Sequence, residues 1–366
     1  MSLLAAPAFN FNSLIFEFYM FLLKNINRFT LDFSQINLLA ALYAKSGQET
    51  YFAEFFKKFK KNLIPSLVSE NSYYFSLIFS ELDQEKLKKF TSSDYKANNL
   101  KEKFVQNARK IIANIQVSAE KGLHNSDIYT YASALSSGIQ TVSLNRGQAN
   151  QTSFLDTSGK PLSIESKLNE VCGLYNTLCV KEIEKITLIS NFLVDYYMLE
   201  PYSINQKALF SLLACRLMSA EFKVFSYVSF FKYFEQYSHK LDQALAIAST
   251  NWQHGHSDIS MLFEILANIC FQAYQEFEAK ARQHQFEATI NRKNDIIGQI
   301  RNYKDTFTVA DLKQANPHIS LSTINRTLKT LKDTGEIKLV GKGKSAFWQK
   351  THTTSNLFQS TFFTQD

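Results

Sequence analysis

The sequence predicts a mainly α protein: a helical core with an N-terminal helical extension and, at the C-terminal end, a winged helix-turn-helix domain. Three observations predict it. Only 5 prolines and 11 glycines occur in 366 residues, so there is little to interrupt helices. Apolar residues recur at helical spacing, as in Phe104, Ala108, Ile111, Ile112, Ile115 and again in Ile183, Ile186, Ile189, Leu193, Tyr197. Charge is uneven along the chain. Residues 291–350 carry 12 Lys and Arg against 5 Asp and Glu, while the rest carries 28 of each sign, so the whole net charge of +7 arises in the tail.

With 45% hydrophobic and 20% charged side chains the chain can bury real cores in two or three domains, and it is not a disordered chain. The expected division is an N-terminal helical region over 1–115, a helical core over 116–280, a linker helix with the winged helix-turn-helix over 281–350, and a frayed end over 351–366. The apolar stretch 14–23 is broken by Glu17 and has no cleavage-site pattern after it, and no other run approaches the roughly 18 residues of a membrane span. A cytoplasmic protein with no membrane partner is expected. Cys172, Cys179, Cys215 and Cys270 lie in apolar periodic stretches without C-x-x-C spacing and are expected as buried free thiols.

Along the core the pattern predicts helices at 126–135, 164–175, 183–199, 209–218, 226–245 and 258–274. Between 136 and 160 the helical period lapses into a Gly-, Ser-, Asn- and Gln-rich stretch with Ile139, Val142 and Leu144 at short spacing, which reads as a loop with one short hairpin. The polar stretch 279–293 continues the last helix toward the tail as a bridge. Clusters such as Phe52, Phe55, Phe56, Phe59 and Phe225, Tyr227, Phe230, Phe231 have helical spacing and are read as core.

In the tail, Thr308 is the N-cap of a short helix, 309–314, and Asn316-Pro317 forces a turn before a second helix from Ser320 to about Thr334. Leu321, Ile324, Leu328 and Leu331 share one face of the second helix. Ser322, Thr323, Asn325, Arg326 and Lys329 lie largely off it, the pattern of a recognition helix in a major groove. Gly335 ends the helix as a left-handed cap. Residues 337–340, Gly341-Lys342-Gly343-Lys344 and 346–349 then form a wing, with Lys342 and Lys344 at its tip and Trp348 as a plug against the helix. DNA is therefore a candidate partner, and a protein is the other, because the same fold also serves for docking.

Two further groups of histidines occur in the chain. His254-Gly255-His256 with Asp258 has chelating spacing but no further ligand nearby, so it reads as a polar helix-entry loop and no metal is expected. His239, in an aromatic-rich helix, reads as a packed or surface histidine. No G-x-S-x-G, P-loop or Rossmann pattern is present.

The order of features over 123–277 resembles the Fic (filamentation induced by cAMP) family of nucleotidyl transferases. A helix at 126–135 is followed by Gly138, the segment 139–146, Phe154-Leu155, a helix at 164–175, a helix at 183–199, Glu200-Pro201-Tyr202 and a helix at 209–218. Many members also end in a winged helix, and the resemblance covers roughly 63–350 by order and apolar pattern. It implies a Fic-like helical core and the signature H-P-F-x-[DE]-G-N-G-R-x-x-R. There a general-base His takes a proton from a target hydroxyl, an acid holds Mg²⁺, a Gly-Asn-Gly turn presents N–H groups to phosphate, and arginines neutralise its charge.

Laid on this chain, the His position is Glu200, Pro201 matches, Tyr202 keeps an aromatic ring, and the metal-binding acid is Ile204. The Gly-Asn-Gly turn becomes Asn205-Gln206-Lys207, and the two arginines are Ala208 and Ser211. A carboxylate at Glu200 adds negative charge beside a triphosphate, Ile204 cannot ligate a metal, and side chains in place of glycine block close backbone approach. The family's inhibitory Ser/Thr-x-x-x-Glu segment has its nearest counterpart in 136–141, with Gln140 at the glutamate position. A polar helix-to-loop transition is the other reading of that segment.

Three functions follow as expectations. The first is a Fic-like protein that is inactive as an AMP transferase and acts by binding or regulation. The second is an active transferase of AMP to protein hydroxyls, with Glu200 as base and Lys207 on phosphate, which alone requires ATP and Mg²⁺. The third is a DNA-binding transcriptional regulator. No cofactor is expected outside the second, and a homo-oligomer is left open.

Overall fold

The structure, a computed structural model, describes residues 21–56, 60–92, 96–118, 120, 122–145, 162–303, 305–317, 319–341 and 346–351. Phe59, Lys342, Lys344, Arg146, Phe154, Leu155 and residues 352–366 of the expected frayed end lie outside the described residues. The chain forms two compact units, Met1–Ala279 and Lys280–Asp366.

The first unit is helical throughout. After a short 3-10 turn at Leu22–Arg28 come α1 (Phe33–Ser46), α2 (Glu49–Ala53), α3 (Lys60–Phe79), α4 (Gln84–Ser92), α5 (Leu100–Val117) and α6 (Asn125–Ser136). Then follow α7 (Ile164–Cys179), α8 (Lys185–Leu199), α9 (Gln206–Glu221), α10 (Phe230–Ser249) and α11 (Ser260–Asn302). The starts are written locally. Asp32 accepts from Gln35 N at 2.9 Å while the Gln35 side chain accepts from Asp32 N at 3.1 Å, a reciprocal cap that satisfies two N–H groups at the start of α1.

Helix α8 is the axis of the unit. Ile186 to Tyr196 are all buried, and so are the polar residues among them, Thr187, Ser190, Asn191 and Asp195. It packs against α7, α9 and the Leu22–Arg28 turn. Asp195 is the charged exception within it. Its carboxylate accepts from Leu22 N at 2.8 Å, Leu23 N at 3.1 Å and Trp252 Nε1 at 2.9 Å, pinning the start of the described chain to the core. Burial pushes this carboxyl up to about 7, against the three N–H donors that favour its charged form.

The N-terminal helices are part of the same core. Phe75 of α3 stacks on Phe104 of α5 at 6.0 Å and meets Phe231 of α10 edge-on at 5.1 Å, and Asn71 Oδ1 accepts from Ser229 Oγ and Phe231 N at 3.0 Å each. The aromatic clusters are therefore packing, with Phe56 stacked on Phe277 at 5.2 Å. All four cysteines are free; Cys172, Cys215 and Cys270 are buried, whereas Cys179, at the end of α7, is half-buried. No helix among the described residues is long and apolar enough to cross a membrane.

The second unit holds the end of α11, β1 (Thr306–Phe307), α12 (Val309–Ala315), α13 (Leu321–Asp333), β2 (Ile337–Val340) and β3 (Phe347–Lys350). The sheet is antiparallel with order β1-β3-β2, and Trp348 pairs with Phe307 on one side and Leu339 on the other. Ile296, Ile300, Phe307, Leu312, Ile319, Ile324, Leu328, Leu331 and Ile337 form its core, with Trp348 packed against it. Thr308 and Asp311 make a reciprocal cap on α12, Ser320 caps α13, and Gly335 closes α13 with φ +78.

Two sequence expectations are corrected in this unit. Leu321 is 51% exposed and does not share the buried face of α13. It lies in the first turn, and the fourth buried residue of α13 is instead Thr327, whose hydroxyl donates to Thr323 O at 3.0 Å and so can be buried without loss. Strand β1 was not anticipated, because two residues carry no alternation.

Candidate functional site

Helix α8 ends at Glu200, which adopts the left-handed conformation with φ 41, and its N–H still donates to Tyr197 O at 3.2 Å. This region is sparsely populated by non-glycine residues, so the surroundings must hold it there. They do so through the segment 139–145, which runs beside the loop 200–204. The hairpin expected in 136–160 is not formed over 139–145; instead Leu144 makes an isolated antiparallel bridge with Tyr202.

That pairing engages four consecutive carbonyls of the loop. Asn145 Nδ2 donates to Glu200 O at 2.8 Å and to Tyr202 O at 3.3 Å, Asn145 N donates to Pro201 O at 3.0 Å, and Gln140 Nε2 donates to Ser203 O at 3.0 Å. Ser203 N returns a bond to Ser143 O at 3.0 Å, and the two serine hydroxyls lie 2.8 Å apart. Gln140 thus reaches the loop through a backbone carbonyl. Asn145 is the contributor that sequence reading missed, since an asparagine in a Gly-, Ser-, Asn- and Gln-rich stretch carries no distinguishing spacing.

The remaining polar groups of the loop are also satisfied within the protein. Asn205 caps α9, its Oδ1 accepting from Ala208 N at 3.1 Å. Gln206 donates to Tyr202 O at 2.5 Å and accepts from Tyr196 Oη at 3.3 Å. Lys207 forms an ion pair with Asp242 of α10 at 2.6 Å. Tyr202 is 2% exposed, donates to Asn125 Oδ1 at 2.9 Å, and burial raises its pKa. Ile204 is half-buried, while Ala208 and Ser211 are fully buried, Ser211 donating to Lys207 O at 2.8 Å.

The chemistry left to this loop is limited. Position 200 offers a carboxylate and no imidazole, position 204 offers no ligand, and the N–H at 208 that would meet a phosphate already has an acceptor. The loop and the 139–145 segment come together as one site; the tail candidates belong to the other unit.

On α13 the candidates divide. Ser320 Oγ lies 2.9 Å from both Ser322 Oγ and Thr323 Oγ1 and accepts from Thr323 N at 3.2 Å, so these hydroxyls serve the cap. Asn325, Arg326 and Lys329 are exposed on the side away from Ile324, Leu328 and Leu331, and their side chains make no intramolecular hydrogen bond among the described residues. Of the other sequence candidates, His256 accepts from Arg28 Nη1 at 3.2 Å, His254 ends a 3-10 turn at Trp252–His254, and His239 is exposed on α10.

No protein-family model matches the sequence, and no curated protein matches it. Among solved structures, the chain is similar to a Fic family protein from Desulfovibrio desulfuricans G20 with a TM-score of 0.49 and 12% identity, over 88% of this chain and 98% of that one.

Proposed function

We propose that the chain is a Fic-like protein whose signature loop no longer transfers nucleotide, and that it acts as a binding or regulatory protein through its helical body and a C-terminal winged helix. The observation that supports this is the saturation of the loop. Asn205 occupies the Ala208 N–H, Gln206 bridges Tyr202 and Tyr196, Lys207 is held by Asp242, and the 139–145 segment takes the carbonyls of Glu200 to Ser203. A nucleotide entering here would have to break bonds already made and would gain neither an imidazole base nor a metal ligand in return. The test is to incubate the full chain, alone and with lysate, with ATP carrying a tagged AMP group in Mg²⁺ or Mn²⁺. No labelling is expected. Labelling that disappears in Glu200→Ala would overturn the proposal in favour of a rebuilt transferase site.

A second reading, DNA binding by the tail, rests on a different observation. Asn325, Arg326 and Lys329 stand exposed on one side of α13, and the tail carries the chain's entire excess of positive charge. The helix pair α12 and α13 followed by the antiparallel strands β2 and β3 supports its description as a winged helix. Fluorescence anisotropy with a labelled duplex is expected to give affinity that falls with salt and that weakens in Arg326→Ala and Lys344→Ala. Binding that ignores salt and both substitutions counts against it.

A further inference from the structure

A cleft of about 730 Å³ opens between α6 and α7 and lies within the range of small-ligand sites. One wall is a stripe on α7. Glu165, Asn169 and Gly173 follow at steps of four residues, so all three face the cleft from successive turns. The opposite wall is aromatic: the rings of Tyr129 and Tyr202 sit 5.9 Å apart and tilted by 54°, and Asn125, already bonded to the Tyr202 hydroxyl, fixes the inner ring.

Two residues of this lining are open to an occupant, although Glu165 also stands in the first turn of α7, where a carboxylate suits the helix N-terminus. Gly173 lies mid-helix, where glycine is the poorest ordinary choice, and a Cβ added to it would meet no atom within 4 Å. Neither packing nor backbone conformation asks for glycine; its bare backbone leaves room for an occupant to lie close against α7. Glu165 is an exposed carboxylate that makes no hydrogen bond or ion pair among the described residues, and its charge reaches the Tyr202 hydroxyl across the cleft. Asn169 likewise makes no hydrogen bond among the described residues.

The charge balance selects the ligand. Among the described residues no lysine or arginine lines the cleft; the basic side chain at its edge is His124. What the cleft offers is the exposed ring of Tyr129, a carboxylate and an amide oxygen, which match a planar cation that stacks on tyrosine and donates in the plane to a carboxylate. We propose that this cleft binds a guanidinium group, either an arginine side chain presented by a protein or a free guanidinium compound, with Glu165 as its counter-ion and the exposed ring of Tyr129, backed by Tyr202, as its stacking wall. The cleft shares Tyr202 and Leu144 with the loop site, but the proposal does not depend on whether that loop transfers nucleotide.

The experiment is a calorimetric titration of the full chain with two probes, L-argininamide and the blocked tripeptide acetyl-Gly-Arg-Gly-amide, each paired with its citrulline counterpart. Citrulline keeps the planar shape and removes the charge. Saturable binding of at least one arginine probe is expected, with the citrulline form weaker by about tenfold or more. Tighter binding of the tripeptide supports a protein-borne arginine, and tighter binding of argininamide supports a free compound. Glu165→Gln is expected to remove the preference over citrulline. Gly173→Leu, which improves the helix and fills the cleft, is expected to abolish binding, with folding of both variants checked by circular dichroism. No saturable binding of either probe at millimolar concentration, equal binding of citrulline, or binding unchanged in Glu165→Gln would overturn the proposal.

Discussion

The start of α9 in the body and the start of α13 in the tail use the same local chemistry and come to opposite ends. Asn205 caps the first and Ser320 the second, each through a side-chain oxygen on an N–H three residues on. Beyond the cap, α9 is buried on every side from Ala208 to Met218, and the polar residues around it are absorbed by neighbours. Helix α13 buries only Ile324, Thr327, Leu328 and Leu331 and leaves Asn325, Arg326 and Lys329 facing outward. The difference shows that a cap fixes where a helix begins, whereas the availability of polar groups for a ligand depends on what packs around the turns that follow.

The sharpest way to break this comparison is to restore charge to α9. Ser211 is fully buried and its hydroxyl is spent on Lys207 O. Ser211→Arg would force a large unpaired cation into close-packed surroundings and is expected to cost about 3–5 kcal/mol, read as a fall in the urea midpoint. A loss below about 1 kcal/mol would mean that α9 can open to accommodate the arginine, and the inactive reading would lose its support. In the tail the matching large effect comes from the buried face. Leu328→Ala is expected to cost about 2–4 kcal/mol, since Leu328 lies at 0% exposure among Ile324, Leu331 and Ile337.

An effect of similar size, about 4 kcal/mol, is expected with pH at Asp195. Its folded pKa of about 7 lies above the ordinary 3.8, so between those values the folded state holds a proton that the unfolded state has released. The favourable contribution is complete below about pH 4 and is lost as pH rises through about 7. Urea midpoints measured across that window should therefore fall with rising pH, and Asp195→Asn should flatten that slope. An equal slope in the variant would assign the pH dependence to other groups. Below this come the caps: Asn205→Ala and Ser320→Ala are each expected to cost about 1 kcal/mol, and a much larger loss at Asn205 would show that it holds the loop as well as the helix.

The parts of the fold legible in sequence were those governed by short-range rules. Helical period placed α6 to α9 within a few residues, and the Thr308 cap, the Asn316-Pro317 turn and Gly335 fixed the tail helices because each acts on its own neighbours. Ile204, Ala208 and Ser211 could be seen as unsuited to phosphate chemistry from their side chains alone. The partners of the loop could not. Asn145 reaches Glu200 across 55 residues and Lys207 meets Asp242 across 35, and no periodicity encodes such pairings. Leu321 was misjudged for the same reason, since spacing gives a face and says nothing of where the neighbouring core ends.

The smallest expected effect on stability falls at the position where the largest effect on a partner is expected. Arg326 is exposed on α13, and its side chain makes no hydrogen bond among the described residues, so Arg326→Ala should leave the urea midpoint within about 0.5 kcal/mol of the parent chain. If the tail grips a duplex, the same substitution should weaken affinity by about fivefold or more and reduce the steepness of its salt dependence, because a released counterion is lost with each phosphate contact. Loss of affinity without loss of stability would separate the outward face of α13 from its buried one in a single variant. If stability falls instead, Arg326 belongs to the tail's packing, and the contrast between a saturated loop in the body and an open helix face in the tail would have to be redrawn around Asn325 and Lys329 alone.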